Sequence, residues 1–86
     1  MQLTLSGGGQ ESAGAYVDDA SITTTVKAKM VEDKNVDASA IKVETLNGEV
    51  MLSGFAKNST EKNTAENIAT KVKGVKTVKN QIVVRP

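Results

Sequence analysis

Between Asp18 and Val84 the apolar positions follow two periods in turn. Ile22, Val26 and Met30 recur every four residues, with Ala20 and Val31 beside them, so one helical face is apolar. Asp18-Asp19 precedes that face with side chains that accept from free N–H groups and suit the positive helix end. The spacing predicts a helix over 19–32. Thr23, Thr24 and Thr25 are poor helix formers, so packing rather than propensity must hold it. Residues 33–40 read as a loop with Val36 as its buried anchor. From Ile41 to Leu46 the period falls to two, with Ile41, Val43 and Thr45 on one side and Lys42 and Glu44 on the other. Asn47-Gly48 then predicts a tight hairpin, because both residues tolerate the positive φ of a type I′ turn. A second strand follows over 49–55, with Val50, Leu52 and Gly54 inward. At Gly54 the missing Cβ allows either a close backbone approach or a bulge.

Asn58-Ser59-Thr60-Glu61 has the form of a capping box, and Ala65, Ile68, Ala69 and Val72 follow at helical spacing. A second helix is expected over 59–73, ended by Gly74 in the left-handed conformation. The last strand is expected over 77–84, with Val78, Ile82 and Val84 sharing a face with Asn80. The fold class is therefore α+β in the order αββαβ. The hairpin makes the first two strands antiparallel. A right-handed helical crossover makes the third parallel to the second and lays two helices on one face of a three-stranded mixed sheet. The opposite face is then open to solvent or covered by a partner, and carries Lys42, Glu44, Leu46, Met51, Ser53, Lys79, Gln81 and Val83. Residues 1–17, with Gly7-Gly8-Gly9 and few apolar positions, read as a flexible tail, an expression or processing remnant that also suits a tether. The domain is expected over 18–86.

Composition narrows the chemistry. The 86 residues contain no Cys and no His, which removes thiolate nucleophiles, imidazole bases, disulfides and the usual zinc ligands. Tyr16 and Phe55 are the only aromatics, which offers little for stacking nucleic-acid bases. The net charge of +1 hides a dipolar chain: residues 1–49 carry four lysines and eight acids, whereas residues 50–86 carry seven bases and two acids.

The candidate binding residues follow from that asymmetry. Lys71, Lys73, Lys76 and Lys79 form a basic cluster, with Lys27 and Lys29 on the first helix as a second surface. Near an anionic membrane each base is worth about 1 kcal/mol. Nucleic acid is disfavoured as partner, for want of aromatics and an arginine cluster. The acid-rich loop gives a weaker alternative. Asp33, Asn35, Asp37 and Glu44 fall close to the ligand spacing of an EF-hand calcium loop, but Ala38 replaces the required Gly and a strand follows instead of a helix. Gly9 and Gly14 have the spacing of a phosphate loop without its Lys. The pairs Asp18-Asp19, Glu32-Asp33 and Glu61 with Glu66 lie at helix ends or on an exposed helix, and no carboxylate is expected to be buried enough to act as a base. No cofactor and no catalytic residue is expected.

Three stretches taken together resemble a single BON domain, the module of osmotically induced periplasmic proteins and envelope lipoproteins. They are Asp18-Asp19 leading into Ile22, Val26, Lys27 and Met30; Ile41-Lys42-Val43 with Asn47-Gly48-Glu49-Val50-Met51-Leu52-Ser53-Gly54; and Gly74-Val75-Lys76-Thr77-Val78-Lys79-Asn80-Gln81-Ile82. The resemblance implies a non-enzymatic, periplasmic or envelope-located protein that associates with phospholipid membranes, often under osmotic or envelope stress; a monomer is expected. Members usually carry two such domains, and a lipid anchor would have to precede residue 1. The rival expectation is a protein-interaction module that presents the open sheet face or a sheet edge to an envelope partner.

Overall fold

The computed structural model describes residues 18–86. Helix α1 spans Asp19–Glu32, a 3-10 turn covers Ala38–Ala40, and strands β1 (Ile41–Leu46) and β2 (Glu49–Ala56) follow. Helix α2 (Ser59–Thr70) leads to strand β3 (Thr77–Val84). The sheet order is β1-β2-β3, antiparallel between β1 and β2 and parallel between β2 and β3. This is the α+β arrangement expected from the alternation of periods. The expectations for residues 1–17 lie outside the described residues.

The core lies between the helices and one face of the sheet. Ile22, Val26 and Met30 of α1 meet Ala65 and Ala69 of α2 and the inward residues Ile41, Val43, Val50, Leu52 and Ile82. Burying each large aliphatic side chain contributes about 1.5–3 kcal/mol, which is what holds a helix whose middle is three threonines. Thr23 helps by donating its hydroxyl to Thr45 Oγ1 at 2.7 Å, which joins α1 to β1. The expected apolar face of α1 is narrower than its sequence suggested. Ala20 is exposed and Val31 is 73% exposed, because α1 meets the core only along the Ile22–Val26–Met30 line.

Two glycines fix how the pieces close. Gly48, at φ +83°, forms the hairpin with Asn47 at φ +52°. Gly54 has φ +117°, and a Cβ there would lie 2.1 Å from the Ala40 carbonyl oxygen. The backbone of the 3-10 turn therefore rests on β2, and pairing continues past Gly54 to Ala56. Helix α2 stops three residues short of expectation. After Thr70 the chain tightens into short turns, with Val72 N–H donating to Ala69 O and Val75 N–H to Val72 O, both at 3.2 Å. Gly74 then takes φ +96°.

Candidate functional site

The connection from α2 to β3 sorts its residues by side. Val72 is buried and Val75 is half-buried against the core, while Lys71, Lys73 and Lys76 are exposed. The backbone between them is not free to wander. Lys76 N–H donates to Gly48 O at 2.8 Å, joining the connection to the hairpin turn. That turn is itself held by Asp19, whose Oδ2 accepts from Asn47 N–H at 2.8 Å and whose Oδ1 accepts from Gly48 N–H at 3.0 Å. Asp18 caps α1 by accepting from Ser21 N–H at 2.8 Å, and that bond, with the Ser21 side chain, holds its carboxyl below the usual range. Asp18 and Asp19 are thus committed to backbone donors, and Glu49, beside the turn, has Lys79 Nζ 3.8 Å away. Among the described residues, Lys71, Lys73 and Lys76 form no ion pair.

The structure does not bring all six candidate lysines together. Lys79 lies on the open sheet face, with Nζ 3.8 Å from Glu49. Lys27 and Lys29 are exposed on the second half of α1, away from the end that carries Asp19 and the hairpin turn. Lys71, Lys73 and Lys76 remain, all on the connection from α2 to β3.

The residues of the calcium-like alternative are engaged locally. Asp33 Oδ1 accepts from Asn35 N–H at 2.8 Å, and Asp37 Oδ1 accepts from Ser39 N–H at 3.1 Å and Ser39 Oγ at 2.6 Å. Glu44 is on β1 beside Lys42 at 3.6 Å. Each acid closes its own small turn or points elsewhere, and among the described residues no three acidic side chains converge on a metal position. Asp37 is held ionised below its usual range chiefly by the Ser39 hydroxyl.

Glu61 is the correction of most consequence. It was expected on an exposed helix face, yet it is 2% exposed. Asn58 caps α2 as expected, accepting from Glu61 N–H at 2.8 Å. The Glu61 side chain, however, passes the cap and takes Lys57 N–H on Oε1 and Asp37 N–H on Oε2, each at 2.7 Å. Lys57 Nζ is 3.4 Å away. Those donors, led by the Asp37 N–H, hold the carboxyl below its usual range. A carboxylate so occupied ties the acid-rich loop to the start of α2 and is a poor proton acceptor. The missed signal lay in the spacing, since Glu61 precedes buried Ala65 by four residues and Ala69 by eight.

Near Glu61, Arg85 stacks over the half-exposed Phe55 ring, with Cζ 4.5 Å from its centre. Asn80, between sheet and helix, donates to Lys62 O at 3.0 Å and Glu66 Oε1 at 3.1 Å, and accepts from Ile82 N–H at 3.1 Å. It secures β3 to α2, the element that ends in the lysine connection. In chemical terms, the connection offers three exposed cations at one end of the described fold.

No described helix is long and apolar enough to cross a membrane. A solved structure, the C-terminal domain of CdsD, the structural protein of the type III secretion system of Chlamydia trachomatis, superposes with a TM-score of 0.67 over 98% of this chain and 38% of that one. At 19% identity the likeness shows a shared fold. Osmotically-inducible protein Y of Escherichia coli is 41% identical over 71 residues, covering 83% of this chain and 35% of that protein. Outer membrane lipoprotein DolP of Haemophilus influenzae is 47% identical over 60 residues, covering 70% of this chain and 31% of that protein. The chain thus spans about a third of the length of these relatives. The family model of the BON domain matches residues 18–86, which is the whole described fold from the α1 cap to the last residue, and the chain accordingly belongs to the BON domain family.

Proposed function

We propose that this chain is a non-catalytic module of the bacterial envelope that docks on anionic phospholipid surfaces. The observation that carries the reading is the group Lys71, Lys73 and Lys76: exposed, without ion pairs among the described residues, and mounted on a backbone pinned to the hairpin turn. Buried Val72 and half-buried Val75 keep the connection from folding back over its own charges. Lys79 and the α1 pair Lys27 and Lys29 add to the general positive field but lie on other surfaces. An envelope setting in osmotic stress is supported by the names of the two relatives, one osmotically inducible and one an outer membrane lipoprotein.

At about 1 kcal/mol per base, three lysines give roughly 3 kcal/mol, or on the order of 100-fold preference for an anionic over a neutral surface at low salt. The affinity is weak and falls as salt shortens the screening length. Sedimentation with phosphatidylglycerol vesicles tests the proposal, with phosphatidylcholine vesicles as control. The expected result is enrichment on the anionic vesicles, loss in the K71E/K73E variant, and steady decline with salt. Equal sedimentation with both lipids at low salt sinks it.

A further inference from the structure

The sheet face turned away from the helices carries a definite pattern. The strand registers arrange it in rows: Leu46–Glu49–Thr77, then Glu44–Met51–Lys79, then Lys42–Ser53–Gln81, with Phe55 beside Val83 at the far end. With Lys42, Glu44, Glu49 and Lys79 on the strands and Arg85 stacked over Phe55, the face carries three cations and two carboxylates, so its net charge of +1 gives little attraction for an anionic membrane or a strongly charged protein. It also exposes apolar surface, with Leu46 at 70% and Val83 at 52%. A hollow of about 320 Å³ opens among Glu44, Thr45, Leu46, Glu49 and Met51. Two carboxylates and two apolar side chains around one hollow suit a lysine, whose stem is apolar and whose tip is a cation.

The residue that fits is on the same face. Lys79 sits across Met51 from Glu44 in one row. When two such faces meet about a two-fold axis lying along β2, β1 of one copy covers β3 of the other, row by row. Glu44 then faces the partner's Lys79, and Lys79 faces the partner's Glu44. Glu49, Met51, Ser53 and Phe55 each meet their own equivalents on the axis, and Lys79, 3.8 Å from Glu49 of its own copy, keeps the two Glu49 carboxylates from facing each other unpaired. Each lysine tip enters the hollow between Glu44 and Glu49, so the pairing is repeated by symmetry. We infer that the open sheet face docks a second copy of this chain, through reciprocal Glu44–Lys79 pairs around Met51.

The contact is small. Three strands at about 4.8 Å spacing and about six residues at roughly 3.3 Å rise give a face of on the order of 300 Å². Two copies bury less than about 1,000 Å² in total, the range of weak, transient association. The monomer expected from the sequence therefore becomes the dilute limit of a concentration-dependent dimer.

Charge exchange tests this independently of lipid binding. Sedimentation equilibrium of the wild type from roughly 10 μM to 1 mM spans the affinities a contact of this kind gives. The wild type is expected to dimerise within it. E44K and K79E each place like charges at both reciprocal contacts and are expected to weaken self-association by about tenfold or more. An equimolar mixture of E44K and K79E restores opposite charges at both contacts and is expected to dimerise like the wild type. Thermal melts confirm that these exposed variants stay folded. A wild type that remains monomeric throughout, single variants that dimerise undiminished, or a mixture that fails to associate overturns the inference. So does loss of vesicle sedimentation on K79E with no dimer in the wild type, which would make the face a lipid contact.

Discussion

Replacing Glu61 by Gln tests whether a buried carboxylate clamps the fold. The substitution keeps the size of the side chain but turns one acceptor oxygen into an NH2 donor. In the structure both oxygens face backbone N–H groups at 2.7 Å, from Asp37 and Lys57. Whichever way the amide sits, one N–H loses its acceptor and meets another donor. Leaving one such buried donor unsatisfied costs about 1–3 kcal/mol. For a domain of this size each 1 kcal/mol moves Tm by about 4–8 °C, so a loss of roughly 2 kcal/mol lowers Tm by about 8–16 °C. Scanning calorimetry at pH 7 reads the change directly. The pH dependence supplies a second limb. Glu61 titrates below its reference value of 4.5 in the folded state. Its contribution is therefore whole above pH 4.5 and drains away as pH falls through the folded value. Wild type and E61Q are expected to converge in stability in acid and to differ most near neutrality. A Tm for E61Q within about 2 °C of wild type at pH 7 would refute the clamp, since that shift corresponds to well under 1 kcal/mol.

Two further substitutions probe the closures around the site. Gly54→Ala sets a Cβ 2.1 Å from Ala40 O at a φ of +117°, so a loss of more than about 3 kcal/mol is expected, seen as failure to melt cooperatively; a near-wild-type melt contradicts the contact. Asp19→Ala deprives the Asn47 and Gly48 N–H groups of their acceptor, for about 1–2 kcal/mol; the Gly48 amide should then exchange faster with solvent, and unchanged protection counts against the tie.

The parts legible in the sequence are those set by local period and turn chemistry. The bounds of α1, β1 and β3 follow from runs of apolar residues at spacing four or two, and the hairpin follows from Asn47-Gly48, whose φ values are both positive. What stayed hidden depends on which segments become neighbours. Asp19 reaches the hairpin turn 28 residues away, and no local pattern distinguishes that role from simple dipole matching. Glu61 ties Asp37 to the start of α2 across 24 residues. Its position in line with Ala65 was readable, but the donors that permit its burial were not. The end of α2 was overextended because Val72 continues the apolar spacing while its backbone has already left the helix. For the proposed docking surface, the sequence offers six candidate lysines, and the fold sets Lys27, Lys29 and Lys79 on other surfaces than Lys71, Lys73 and Lys76.

The tie between Asp19 and the hairpin turn also sets the polarity of attachment. Asp18 begins the described fold at the end where Lys71, Lys73 and Lys76 project, while Arg85 follows β3 at the opposite end, bonding by its N–H to Ala56 O. Eight strand residues at about 3.3 Å rise put these ends roughly 25 Å apart. Whatever is joined on the N-terminal side of Asp18 leaves from the cationic pole, and a leash fastened there raises the local concentration of that pole at its mooring. The far end carries the Phe55–Arg85 stack instead, so the two ends of the described fold present unlike chemistry.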